Sequence, residues 1–320
     1  MIFVSIEDRV NLRDYEKNNW LGSMRLLSIN HEMEVRNKYM KAKLIVIEGL
    51  PGSGKSTISE MVYEYLRQRG INAEFYSESS YDHPVDFDGV AYFSNEKFMV
   101  LEQKHLSHKE LLNKIKVNFH QRYLIPYRKV IEEQKISFQD SLFKDITKSD
   151  VYQLPIELHK TIMIKRWNDF VNNHINEDKV FIFECCLIQN PVTFTMVKNN
   201  CHKEVTTDYI KTLAKIIAPL NPVLLYIDQQ DIKKSFKKAV AERPEEWFQG
   251  FMYYYTNQGF GLDNNLKGFD GVLQVLEERS KLEKDIYDSL ELTKYKVDNS
   301  DFNYYGMKEK IKCIVDENLR

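Results

Sequence analysis

The stretch Gly49-Leu50-Pro51-Gly52-Ser53-Gly54-Lys55-Ser56 constrains this chain more than any other. It satisfies Gly-x₄-Gly-Lys-[Ser/Thr] in full, and its surroundings suit it. Before it runs Leu44-Ile45-Val46-Ile47, an uninterrupted apolar segment of the kind that forms a strand buried on both faces of a parallel sheet. After it, Ile58, Met61, Val62, Tyr65 and Leu66 recur at i, i+3, i+4, i+7 and i+8, the spacing of a helix with one buried stripe. Gly70 stands where such a helix stops, and Ala73-Glu74-Phe75-Tyr76-Ser77 is the next short strand. Strand, helix and strand make a βαβ unit.

The residue types follow from what a phosphate cradle needs. Glycine lets the backbone curl so that successive N–H groups point inward, with no Cβ in the way. The start of the following helix adds its positive dipole end. Gly49, Gly52, Ser53, Gly54, Lys55, Ser56 and Thr57 are therefore expected to hold a nucleoside triphosphate. Lys55 would bridge the terminal phosphates and the Ser56 hydroxyl would hold Mg²⁺. The loop alone leaves the reaction open, because kinases, mechanical ATPases and GTP switches all use it.

Other segments extend the same sheet. Val180-Phe181-Ile182-Phe183 and residues 222–227 read as further buried strands, 295–297 as a last one. Helix-like spacing occupies 209–217, a lysine-rich helix begins at Asp231, and helices are expected over 272–290 and 304–318. Between the second and third strands of the sheet lies a long insertion, 81–175, which reads as mostly helical near 98–136 and 155–173. Residues 250–271 hold five of the twelve glycines among many aromatics and read as a mobile or functional loop; with 229–249 they form a lid region. Residues 1–39 are polar and weakly periodic. They read as an extension or an upstream mis-start, with the fold beginning at Met40, or else as a short helical arm near 24–39.

Catalytic groups in parallel sheets gather at the carboxyl ends of strands. Two acids fall there: Glu78 after the second strand and Glu184 after Val180–Phe183. Glu184 is placed to hold Mg²⁺ through water, and Glu78 to take a proton from an attacking hydroxyl. Beyond the 222–227 strand, Lys233, Lys234, Lys237 and Lys238 precede Glu242-Arg243-Pro244-Glu245-Glu246-Trp247. An arginine in that proline-bounded turn can close over phosphates, so Arg243 joins Lys55 and Glu78 as a catalytic candidate. In the insertion, His120, Arg122, Tyr123, Tyr127, Arg128, Arg166 and Trp167 pair arginine with aromatic rings, which suits a planar or anionic acceptor; core packing is the competing reading. His83, Asp82, Asp86 and Asp88 read as an ordinary polar loop.

With those residues in hand, the chain resembles the deoxynucleoside kinase and thymidylate kinase branch of the P-loop kinases. The resemblance covers roughly 42–80, 178–185 and 221–247, and it implies that Glu78 acts as base toward a sugar hydroxyl. In that branch the acid of the third strand is usually followed by an arginine that helps hold phosphates; here Cys185 and Cys186 follow Glu184. The expected fold is a three-layer α/β P-loop NTPase fold with a mostly parallel five-stranded sheet and a large helical insertion. The expected activity is transfer of the γ-phosphoryl group from ATP, with Mg²⁺, to a hydroxyl or phosphate of a nucleoside, nucleotide or other small metabolite. The alternative is a nucleotide-binding regulatory or assembly ATPase whose insertion faces a protein partner.

Composition narrows the field. Forty-five basic against 47 acidic side chains give a formal charge of −2, so no general nucleic-acid surface is expected. Asn-Lys at 37–38 and 113–114 is not followed by x-Asp, which removes the guanine motif of a GTP switch. Four cysteines without Cys-x-x-Cys spacing suggest neither a disulfide framework nor a zinc site. No apolar run reaches membrane-spanning length and residues 1–10 lack a signal pattern, so the expected compartment is the cytoplasm; a homodimer is compatible with all of this.

Overall fold

The computed structural model describes residues 41–319; the expectations for residues 1–39 lie outside the described residues. Five strands form the main sheet: β1 (Leu44–Gly49), β2 (Ala73–Tyr76), β6 (Val180–Glu184), β7 (Val223–Asp228) and β8 (Thr293–Asp298). Their spatial order is β2-β6-β1-β7-β8 and every neighbouring pair is parallel. The larger helices are α1 (Lys55–Gln68), α2 (Ile156–His174), α3 (Lys203–Ile217), α4 (Ile232–Ala241), α5 (Glu245–Thr256), α6 (Gly268–Ser289) and α7 (Tyr304–Leu319). This is the three-layer α/β P-loop fold.

The unbroken apolar run of β1 is explained by burial on both sides. Ile45 and Ile47 pack with Ile58, Met61 and Val62 of α1 and with Ile311 of α7. Leu44 and Val46 face the other way, into a cluster holding Trp167 and Phe170 of α2 and Tyr209 and Leu213 of α3. Each such buried side chain contributes about 1.5–3 kcal/mol, so the central strand is fixed from two directions. The β1–β6 register sets Ile47 opposite Glu184, and the β1–β7 register sets Gly49 opposite Ile227. Both place the ends of the strands beside the glycine loop.

Two expectations change. The insertion is mainly helical, but the stretch 98–136 is divided by a small antiparallel sheet of β3 (Ala91–Phe93), β4 (Val117–Phe119) and β5 (Arg122–Ile125), in the order β3-β5-β4. These strands are three or four residues long, and their turn, His120–Gln121, takes φ of 47° and 62° without the asparagine or glycine that usually announces it. The residues 250–271 are helical rather than a loop: the end of α5, a short helix Gly259–Asp263, and the start of α6. Phe251 and Tyr255, one turn apart on α5, stack with centroids 4.0 Å apart, and Phe251 meets Phe236 of α4. Gly261 is there for closeness, since a Cβ would collide with the carbonyl oxygen of Tyr255.

Candidate active site

β1 ends at Gly49 with φ 143°, where a side chain would place its Cβ 2.5 Å from the carbonyl oxygen of Ile227. The chain then curls through Gly52 and Gly54, both left-handed at φ 85° and 93°. Gly54 caps α1 without a side-chain hydrogen bond, so the amides of a 14-residue helix open onto the loop with no built-in acceptor. Three polar residues, two just past the ends of β7 and β8 and one on α4, brace this curl. Asn299 Nδ2 and Gln229 Nε2 both donate to Ser53 O, at 2.8 and 3.2 Å, and Ser235 Oγ donates to Gln229 Oε1 at 2.6 Å.

Lys55 is buried, and its ammonium reaches back to Leu50 O at 2.9 Å, over the loop. Ser56 Oγ donates to Glu184 Oε1 at 2.6 Å. Burial pushes the Glu184 carboxyl up and the nearby Glu78 adds to this, while the Ser56 hydrogen bond and the Lys55 charge pull it back. A hydroxyl and a carboxylate at one point are hard oxygen donors, and the pair fits Mg²⁺. Cys185 is a poor third ligand, since burial pushes its thiol far up and keeps it protonated. That thiol donates instead to Glu78 Oε2 at 3.4 Å, from a residue in the left-handed region at φ 70°. Glu78 Oε1 accepts from Gln189 Nε2 at 2.8 Å.

The segment after β6 is held from behind. Glu48 is completely buried in β1, and its two oxygens accept the backbone N–H groups of Leu187 at 2.6 Å and Gln189 at 2.8 Å. Burial pushes this carboxyl up to about 7, against the pull of those N–H donors. The buried Arg279 of α6 donates to Gln189 O at 3.0 Å, to Thr193 Oγ1 and Tyr255 Oη at 2.7 Å each, and to Glu283 at 2.6 Å. Gln189, Asn190 and Thr193 are thereby presented to the site.

Two cavities meet here. One, of about 870 Å³, is lined by Gly52, Gly54, Lys55, Ser56 and Thr57, by Glu78 and Glu184, and by Lys238 and Arg243 from the lid region. Gly49 and Ser53 form the loop behind it. The Arg243 guanidinium lies 4.3 Å from the Trp247 ring centroid, and the Lys238 ammonium 4.7 Å from that of Phe302. Lys233, Lys234 and Lys237 are exposed and stand off the cavity wall. The second cavity, of about 790 Å³, shares Ser56, Glu78, Glu184, Asn190, Thr193 and Tyr254 with the first and extends into the insertion.

Of the insertion residues singled out in the sequence, Tyr127 and Arg128 line the second cavity. His120 pairs with Asp169, Arg166 donates to His83 O at 3.3 Å, Tyr123 packs in the small-sheet core and Trp167 is fully buried in the main one. Asp86 and Asp88, read as part of a polar loop, line the second cavity, with Asp86 buried. Glu48, Gln189, Asn190, Arg279 and Asn299 escaped the sequence reading. Only Glu48 carried a signal, an acid inside an otherwise apolar strand.

No helix among the described residues is long and apolar enough to cross a membrane. No protein-family model matches the chain, and none of the curated proteins does. Among solved structures, deoxyadenosine kinase from M. mycoides with bound dATP is 15% identical, over 85% of this chain and 99% of that one, with a TM-score of 0.38. The crystal structure of APE1195 is 10% identical, over 77% of this chain and 96% of that one, with a TM-score of 0.31. Likenesses of that size carry no argument about chemistry, and the fold assignment stands on the sheet order and the glycine loop themselves.

Proposed function

We propose that this chain is a phosphotransferase that moves the γ-phosphoryl group of ATP, with Mg²⁺, onto a hydroxyl of a small molecule. The observation that carries this reading is the pair of cavities joined at Ser56, Glu78 and Glu184: one on the phosphate loop, one in the insertion. A nucleotide switch or mechanical ATPase has no need of a second chamber opening on the terminal phosphate. In this reading the loop amides and Lys55 hold the triphosphate, and Ser56 and Glu184 hold Mg²⁺, which supplies charge neutralisation when bound. The acceptor hydroxyl, placed in the second cavity, attacks the γ-phosphorus. The bond from that phosphorus to the β–γ bridging oxygen breaks, ADP leaves with the electron pair, and Glu78 takes the hydroxyl proton. Arg243, on the cavity wall, balances charge developing on the leaving side. Most of the acceleration is then positioning and electrostatics.

A nucleotide-consumption screen against nucleosides, nucleotides and hydroxylated metabolites, with each hit checked by mass spectrometry, tests this. A phosphorylated product is expected. ATP consumption that ignores every acceptor would instead favour a regulatory or assembly ATPase with a protein-facing insertion.

A further inference from the structure

Glu78 lies just past β2, is exposed, and lines both cavities. A long exposed side chain is free to swing unless something fixes it. Here the fixing groups come from the segment after β6, the neighbouring strand. Gln189 Nε2 donates to Glu78 Oε1 at 2.8 Å, and the Cys185 thiol donates to Oε2 at 3.4 Å. Both donors are neutral. A carboxylate offers about four lone-pair sites, so two such bonds leave room for an incoming hydroxyl. An amide also orients a carboxylate without the opposite charge that would blunt a general base.

Gln189 is built around that one side-chain bond. Its backbone is anchored independently of its side chain: the N–H goes to Glu48 Oε2 at 2.8 Å, and the carbonyl oxygen accepts from Arg279 at 3.0 Å. The side chain is 5% exposed and sits on the wall of the phosphate-loop cavity. Its Nε2 reaches Glu78, while its Oε1 is buried with no partner among the described residues. An unpaired buried amide oxygen costs free energy that an unbranched apolar side chain of similar size, such as methionine, would not. Packing alone therefore disfavours glutamine at this position. What glutamine supplies and methionine lacks is an N–H aimed at Glu78.

We infer that Gln189 is a positioning residue for phosphoryl transfer: its amide holds the Glu78 carboxylate in place to meet the acceptor hydroxyl. This rests on the phosphotransferase reading with Glu78 as base, and deepens it. The bonds made and broken are those described above, and Gln189 itself exchanges nothing.

The test uses the full chain, Mg²⁺ and ATP, and whichever nucleoside, nucleotide or hydroxylated metabolite gives most product in the screen above. Gln189→Met is expected to lower kcat about tenfold, with the acceptor KM and the calorimetric ATP affinity moving less than threefold. Its melting temperature is expected to equal or exceed that of the native chain, because the unpaired oxygen is gone. Lost packing would lower stability and turnover together. On a Glu78→Gln background the same substitution is expected to cost less than twofold more, since Gln189 acts through Glu78. Gln189→Asn, whose amide is one methylene too short to make the bond, is expected to match methionine in kcat. Three results would each overturn the positioning role and leave the kinase reading standing: kcat less than threefold below native in both variants, a tenfold loss that persists on the Glu78→Gln background, or weakened ATP binding in place of slowed turnover. A melting temperature lowered by about 5 °C or more in both variants would also overturn it, by making Gln189 a packing residue. A native chain that forms no phosphorylated product from any member of the panel would overturn both.

Discussion

The two cavities lie on the same edge of the same sheet yet are built in opposite ways. The phosphate-loop side centres on a contiguous run of sequence, a backbone curl, with Lys55, Lys238 and Arg243 around it. The insertion side is gathered from residues between Ser56 and Tyr254, and its charged groups are carboxylates apart from Arg128. The contrast shows what each half has to recognise. A triphosphate is the same in every enzyme that uses it, so amide geometry and one lysine suffice, and the solution is local. On the proposed reading an acceptor is particular, and its pocket would be the cavity that the insertion folds over the strand ends. Ser56, Glu78 and Glu184 belong to both halves, which makes them the natural place to separate donor effects from acceptor effects.

Lys55→Ala should break the donor half alone and have the largest effect. Removing the buried ammonium at the loop is expected to lower kcat/KM by about 10³-fold or more, with circular dichroism and the melting temperature little changed. Full turnover in that variant would mean that the triphosphate lies elsewhere. Glu78→Gln sits on the boundary. As a base it should lower kcat by about 10²-fold while ATP affinity, read by calorimetry, moves less than threefold. Equal losses in both would make Glu78 a binding residue only. Arg243→Ala comes next, at roughly ten- to a hundred-fold in kcat, with Arg243→Lys recovering part of it. If alanine and lysine are equivalent to the native arginine, the stacking of Arg243 on Trp247 is only surface packing.

The same contrast decides what could be read from the sequence. The phosphate loop was legible because its eight residues and their flanking strand and helix are adjacent in the chain, and the glycines announce the positive φ that Gly52 and Gly54 adopt. Glu184 was legible as an acid closing an apolar strand, and the register beside Ile47 sets it where Ser56 can reach it. Asp86 was visible but looked solvated; its burial depends on Tyr152 and Asn190, 66 and 104 residues away. The hairpin at His120–Gln121 hid because its turn lacks the usual residues, and 250–271 misled because glycines that permit close helix packing look the same in sequence as glycines that loosen a loop. Local chemistry leaves a local signature; a site closed by long-range packing leaves only its separate parts.

The smallest effect concerns the support beneath both halves. Glu48 is completely buried and its carboxyl is pushed from the usual 4.5 up to about 7. A carboxyl whose folded pKa lies above its unfolded value stabilises the fold in its protonated form, so this contribution is full below about 4.5 and is lost as pH rises through about 7. Asp86, pushed up to about 6, acts in the same direction. Two buried histidines oppose them: burial holds His83 near 3 and His159 near 4, so each favours the fold above 6.5 and costs stability as pH falls below it. Because these contributions oppose one another, the melting profile of the native chain alone does not isolate Glu48. The informative quantity is therefore the difference in stability between the native chain and Glu48→Gln, in which the histidines and Asp86 cancel. The native chain should gain about 2 kcal/mol relative to Glu48→Gln between pH 8 and pH 5, because only the native chain can bind the extra proton. In a fold of this size it corresponds to a few degrees of melting temperature. A gap that stays constant with pH would mean that Glu48 remains ionised in the fold, held by the Leu187 and Gln189 amides alone, and that the turn presenting Gln189 to the first cavity and Asn190 to both is anchored by charge rather than by a shared proton.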